Sequence, residues 1–299
     1  MNISFYAYFA DLVTHLGAEE AADRVLSTGC TSVEFLEWPR PYQAPQLSTD
    51  VQIMALKSAL DDRGLSCACY SVGISVMGED FGEFGNKSGV DVLKRSAEIA
   101  VMLGSPYLHH TLTIGYLPPS FGQIPKAEAI KALLPHALAV AEYANALGLT
   151  VLYEPQGFFV NGLDGFGLFY SAMKQSGCRI GVCGDMGNSL FVGCNPVSFF
   201  EAYAHDICHV HIKDYASETP LRNHQNAPHD RWDTTSDGRY LREARIGSGM
   251  VGIDACMDIL KKVGYTGAYA LESVYPNSTP DNWHLFVSED RALFAQKYS

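Results

Sequence analysis

Short β-branched and aromatic runs alternate with longer amphipathic stretches along the whole chain. The runs predict strands over residues 3–9, 32–38, 65–74, 107–113, 149–155, 180–186, 207–215 and 267–274. Between them, 3.6-residue periodicity predicts helices over 18–28, 49–63, 90–103, 126–147, 254–263 and 280–298. Gly29, Gly64, Gly104, Gly148, Gly177 and Gly264 follow the last residue of a helical pattern, where a left-handed cap suits glycine. Pro135 falls inside the fourth helix and is expected to kink or split it. Strands that are apolar nearly throughout, separated by helices, indicate a parallel sheet buried on both faces. Eight such units favour a closed (β/α)8 TIM barrel over an open doubly wound sheet. No linker or shift in composition divides residues 1–299, so one domain is expected. Residues 216–251, polar and rich in Arg, His and Asp, form the one long irregular segment and suggest a lid or substrate loop.

Composition narrows the classes. Apolar residues make up 47% of the 299 and charged residues 18%, which excludes a disordered chain and a polar solenoid. A net charge of −12 with no basic stripe argues against nucleic acid as a partner. No run approaches the ~18 apolar residues of a membrane-spanning helix. The opening Met1-Asn2-Ile3-Ser4-Phe5 lacks a basic region, and Arg24 is the first positive side chain, so a cytoplasmic protein is expected. Of eight cysteines, Cys67, Cys69, Cys183 and Cys208 lie in apolar runs and no C-x-x-C pair occurs; they read as reduced core residues.

In a barrel, chemistry belongs at the C-terminal strand ends. The fifth strand ends on Glu154, the sixth on Asp185 with Asn188 beyond it, the seventh on His211, Lys213 and Asp214, and the eighth on Glu272. Any one of these acids could cap a helix or pair with an arginine. Three carboxylates and an imidazole on successive strands point instead to a shared dication, because the acids would otherwise repel one another. The O3N donor set suits Mn, Mg, Co or Zn, with Mn2+ the first expectation. His209 and His211 share a face; His211, nearer the rim, is the ligand candidate and His209 a core or supporting residue. Lys213 has the same parity and could reach substrate oxygens or simply pair with Asp214.

Glu154, the Gly-x-x-x-Asp185 run, His-Val-His211-Ile-Lys-Asp and Leu-Glu272-Ser resemble the xylose-isomerase-like sugar phosphate isomerase/epimerase superfamily, in barrel order over about residues 150–275. The resemblance implies one divalent metal on Glu154, Asp185, His211 and Glu272, with Glu154 and Glu272 also moving the proton. It implies an enediolate route on a keto-sugar or related ketone, giving epimerisation or isomerisation. Loss of a β-hydroxyl from the same enediolate would make a dehydratase of a keto-polyol such as an inosose. Ketose 3-epimerases of this superfamily carry histidine where Asn188 stands, a second glutamate soon after the first, and an arginine after the strand-seven histidine. This chain has Pro-Gln-Gly after Glu154 and Ile-Lys-Asp after His211. Asn188, Lys213, His110 and Arg245 are the candidate substrate contacts.

Gly247-Ser-Gly249-Met-Val-Gly252 matches a dinucleotide fingerprint, but the charged Leu241–Ile246 stretch before it is a poor buried strand. An NAD-dependent oxidoreductase is therefore a remote alternative, and a substrate phosphate at this loop is a further option. His109 and His110 alternate, so one faces the barrel and the other the helices. Tyr6, Trp38, Phe158 and Phe159 could wall a sugar pocket or pack in the core. A sugar-binding protein with a structural metal site is the non-catalytic alternative. A small carbohydrate partner is expected, with homo-oligomerisation open.

Overall fold

The protein is described here from a computed structural model. It describes residues 1–6, 8–37, 47, 49–74, 76, 88–112, 125–218, 232–273, 275 and 278–298. Eight parallel strands close into a barrel: β1 (Asn2–Phe5), β2 (Ser32–Glu37), β3 (Ser66–Val72), β4 (Tyr107–His110), β5 (Thr150–Tyr153), β6 (Ile180–Asp185), β7 (Ile207–Ile212) and, after three strands of another sheet, β11 (Ala268–Leu271). Their order around the barrel is β1-β11-β7-β6-β5-β4-β3-β2, with β1 pairing back onto β2. The outer layer comprises α1 (Phe9–Leu16), α2 (Ala18–Thr28), α3 (Asp50–Asp61), α4 (Ser88–Met102), α5 (Lys126–Ala146), α6 (Gly162–Gln175), α7 (Pro196–Tyr203), α8 (Ile253–Lys262) and α9 (Trp283–Tyr298).

Local chemistry accounts for these bounds. Thr49 and Gln52 form a reciprocal capping box at the start of α3. Asn195 caps α7, with Pro196 in the first turn. The six expected glycine caps all take positive φ. Pro135 leaves α5 as one continuous helix over its 21 residues. Pro135 is exposed and so is Lys131, whose carbonyl would have been its partner, so water can meet the freed carbonyl. The first run is also shorter than its pattern suggests: the strand stops at Phe5, and Phe9, Ala10 and Leu12 bury one face of α1. In α6, Gly165 stands where a Cβ would lie 2.0 Å from the Phe159 carbonyl oxygen, so a close backbone approach explains a glycine-rich helix.

Residues 216–251 are not irregular throughout. After Lys213 the chain forms β8 (Asp214–Glu218), which pairs antiparallel with β10 (Tyr240–Ala244), and β10 pairs with β9 (Asp233–Thr234). The glycine run 247–252 closes onto this sheet. The buried Asp214 carboxylate accepts backbone N–H bonds from Tyr215 (2.9 Å), Gly247 (3.0 Å), Gly249 (2.8 Å) and Val251 (3.0 Å). These donors form an anion nest, and a carboxylate of the chain itself fills it. The dinucleotide and substrate-phosphate readings of this loop both lose the donors they need.

A Cβ at position 249 would lie 2.2 Å from Asp214 Oδ1 and 2.5 Å from the Tyr215 carbonyl oxygen. Gly249→Ala is therefore expected to cost about 2–3 kcal/mol, as overpacking and disturbed buried hydrogen bonds do. Urea unfolding should show the lower midpoint, and an unchanged midpoint would contradict the nest.

Candidate active site

Alternation along each strand decides what enters the barrel. Cys69, Leu152 and Cys183 form a small apolar floor. One step further toward the C-terminal ends come Ser71, Glu154 and Asp185, and on β7 His209, His211 and Lys213 point the same way. Cross-strand register sets His211 opposite Asp185 on one side and Ala270 on the other, with Glu272 just beyond.

Four expected residues meet at this mouth. His211 Nδ1 lies 3.3 Å from Glu154 Oε2, 3.4 Å from Glu272 Oε2 and 3.9 Å from Asp185 Oδ2. Donor atoms of Glu154, Asp185 and His211 fall within 4.8 Å of one another, a spacing that could hold a metal ion. Glu154 Oε2, Asp185 Oδ2 and His211 Nδ1 are all buried and without a hydrogen-bond partner. The remaining polar atoms of Asp185 and His211 are engaged, while Glu154 Oε1 lies 3.6 Å from His109 Nε2. Asp185 Oδ1 accepts the Gly187 and Asn188 backbone N–H groups at 2.8 and 2.5 Å, and His211 Nε2 meets Glu34 at 3.1 and 3.2 Å. Burial is the largest influence on Asp185. With the Glu272 and Glu154 charges it pushes the carboxyl up to about 7, against Lys213 and His211. Glu272 differs from the other three: it is partly exposed and its Oε1 accepts from Lys213 Nζ.

The expected substrate contacts divide. Lys213 is buried at the mouth, bonded to Glu272 and 3.7 Å from Glu243 of β10. Burial opposes its charge, but Glu272, Tyr215 and Glu243 outweigh that and hold its pKa well above the usual lysine range. Asn188 is buried beside Asp185, its carbonyl accepting from Asn161 and its Oδ1 lying 3.4 Å from the Tyr215 hydroxyl. His110 faces the helices instead. Its ring meets Tyr153 edge-on at 5.3 Å, and Tyr153 packs on Phe169 of α6. His109 is the barrel-facing member of the pair, its Nε2 3.6 Å from Glu154 Oε1. Arg245 also turns away, donating to buried Asp290 at 2.6 Å and to Glu289 at 2.9 Å on α9. Tyr6 stacks on His211 at 4.7 Å; Phe159 lies in the core, and Trp38 lies outside the described residues.

Glu34 escaped sequence reasoning because it sits mid-strand and not at a strand end. Its signal was a carboxylate inside the apolar run Ser-Val-Glu-Phe-Leu.

A family model for xylose isomerase-like TIM barrels matches residues 22–293. The chain belongs to that family. Among curated proteins, the rhizopine catabolism protein MocC of Rhizobium meliloti is 31% identical over 101 residues, a match covering 34% of this chain and 30% of that protein. Among solved structures, the IOLI protein with a bound zinc atom aligns at a TM-score of 0.72 and 15% identity, covering 100% of this chain and 99% of that one. D-allulose 3-epimerase from Methylomonas sp. aligns at 0.70 and 15% identity, covering 100% and 98%. At these identities the likeness establishes the fold alone.

His110 generates a pH test of the outward placement. Burial, the dominant cause, lowers its pKa to about 4. The folded state therefore favours the neutral ring relative to the unfolded chain, near 6.5. Stability from this group is full above 6.5 and lost as pH falls toward 4, by about 3 kcal/mol. Chemical denaturation of His110→Phe should show a smaller loss between pH 7 and pH 4.5 than the parent chain. Equal losses would contradict the burial.

Proposed function

We propose that this xylose isomerase-like barrel is a divalent-metal-dependent isomerase or epimerase of a keto-sugar or related polyol-derived ketone. The observation that carries the reading is the convergence of Glu154 Oε2, Asp185 Oδ2 and His211 Nδ1, three buried atoms without partners around one point. Two carboxylate oxygens and a bare imidazole nitrogen so placed are costly alone and suited to a dication. Glu272 would complete the shell through Oε2. Zinc bound to the IOLI protein and the 3-epimerase activity of the Methylomonas protein support the same reading. Zn2+, Mg2+, Co2+ and Mn2+ all remain compatible with this donor set, so manganese stands as one candidate among them.

A bound dication would act as a Lewis acid on a substrate carbonyl oxygen. The chain's own groups do the rest. Glu154 and Glu272 stand on opposite flanks of His211, placed to remove a proton from the carbon beside the carbonyl and to return one. Lys213 holds Glu272 Oε1, which fixes that carboxylate with Oε2 turned toward the site. Its ammonium also offers a donor to a substrate oxygen as charge develops. Asn188, through its backbone N–H, keeps Asp185 Oδ2 turned inward. The sheet of β8, β9 and β10 brings Glu243 over the mouth and narrows access by water. Expulsion of a β-hydroxyl after the same proton abstraction remains the dehydratase alternative.

The test is incubation of metal-stripped and metal-loaded protein with ketoses and keto-inositols in deuterated buffer. Metal-dependent deuterium uptake at one carbon is expected, and Glu272→Gln should lower it by at least 100-fold with an unchanged circular dichroism spectrum. Uptake that is indifferent to both metal and Glu272 would refute the proposal.

A further inference from the structure

Beneath Glu154, Asp185 and His211 lies a second set of polar side chains to which the reaction above gives no part. Glu34 lies within β2, three strands around the barrel from β7, and its fully buried carboxylate spans the interior. Oε2 lies 2.6 Å from His209 Nε2, both oxygens lie within 3.2 Å of His211 Nε2, and Ser71 Oγ donates to Oε1. Three donors from β3 and β7 thus converge on one acceptor that has no donor of its own.

A neutral imidazole has one N–H and one lone pair, and the hydrogen bond to one nitrogen decides which is which. We propose that Glu34 is a positioning residue: it commits Nε2 of His211 as the donor and so presents Nδ1, as a bare lone pair, to Glu154 and Asp185. This rests on the metal reading above and deepens it by naming what orients the one nitrogen ligand. Tyr6, stacked on the ring at 4.7 Å, fixes its plane, while Glu34 fixes its rotation and tautomer. The same carboxylate ties His209 and Ser71 into the arrangement, and Ser71 Oγ in turn lies 3.1 Å from His109 Nδ1.

Glutamine at this position would turn an amide N–H2 toward groups that themselves donate, so the variant separates charge from shape. Two measurements decide. In the metal-stripped parent chain, long-range 1H–15N correlation of the histidines should show a proton on His211 Nε2, with or without a second on Nδ1; a neutral ring protonated on Nδ1 alone would overturn the proposal. In Zn2+ titrations by calorimetry, Glu34→Gln should bind about 10–100-fold more weakly than the parent, with Glu34→Asp in between. Equal affinities in the parent and Glu34→Gln would overturn it as well. Should Glu34→Gln fail to fold, the parent tautomer and Glu34→Asp still decide. A parent chain that binds no Zn2+ would instead bring down the metal reading itself, an outcome distinct from equal binding by parent and variant.

Discussion

A carboxylate oxygen taken out of water needs a donor or a cation, and the cost of leaving it bare is at least a few kcal/mol. The mouth of this barrel holds two such oxygens, on Glu154 and Asp185, beside an imidazole nitrogen in the same condition. Three other buried acids are fully engaged, although Glu37 Oε1 is also left without a partner. Asp214 takes four backbone N–H groups, Glu34 takes two imidazoles and a hydroxyl, and Asp290 takes Arg245 and Tyr275. What sets the three bare atoms at the mouth apart is that they converge, with donor atoms of their residues within 4.8 Å of one another. A dication bound there would satisfy all three at once and remove the mutual repulsion of the acids.

The scaffold explains why this arrangement can persist. Each acid or imidazole comes from a different strand or the residue just beyond it, and the register of neighbouring strands holds their backbones in fixed relation. Underneath, Glu34 links β2 to β7 across the interior, and Ser71 extends the network to β3 and β4. Above, the small sheet of β8–β10, pinned by the Asp214 nest, brings Glu243 to Lys213 and through it to Glu272. Rigid backing on one side and an added sheet on the other hold the polar groups of the mouth in place, the condition under which electrostatic stabilisation is strongest.

Much of this was legible in the residues. Strand–helix alternation and glycine stops point to the closed barrel, and the rule that chemistry sits at C-terminal strand ends singles out Glu154, Asp185, His211 and Glu272. What stayed hidden was tertiary. His109 and His110 alternate, and only pairing of His109 with Ser71 and Leu152 shows which faces inward. Arg245 finds Asp290 on the last helix, 45 residues away, a partner no local pattern announces. The glycine run satisfied a dinucleotide pattern because nests for anions share one backbone chemistry, whether the anion is a phosphate or the chain's own Asp214. The pattern reads Phe9 as the end of a strand and assigns residues 10–16 no element, because an amphipathic helix without a side-chain cap offers little punctuation.

The account stands or falls on where a dication sits. Crystals of protein loaded with Zn2+ and measured at the zinc absorption edge should show one anomalous peak about 2.0–2.2 Å from Glu154 Oε2, Asp185 Oδ2 and His211 Nδ1. A loaded protein with no peak at that point, or with its zinc held only elsewhere, would contradict it.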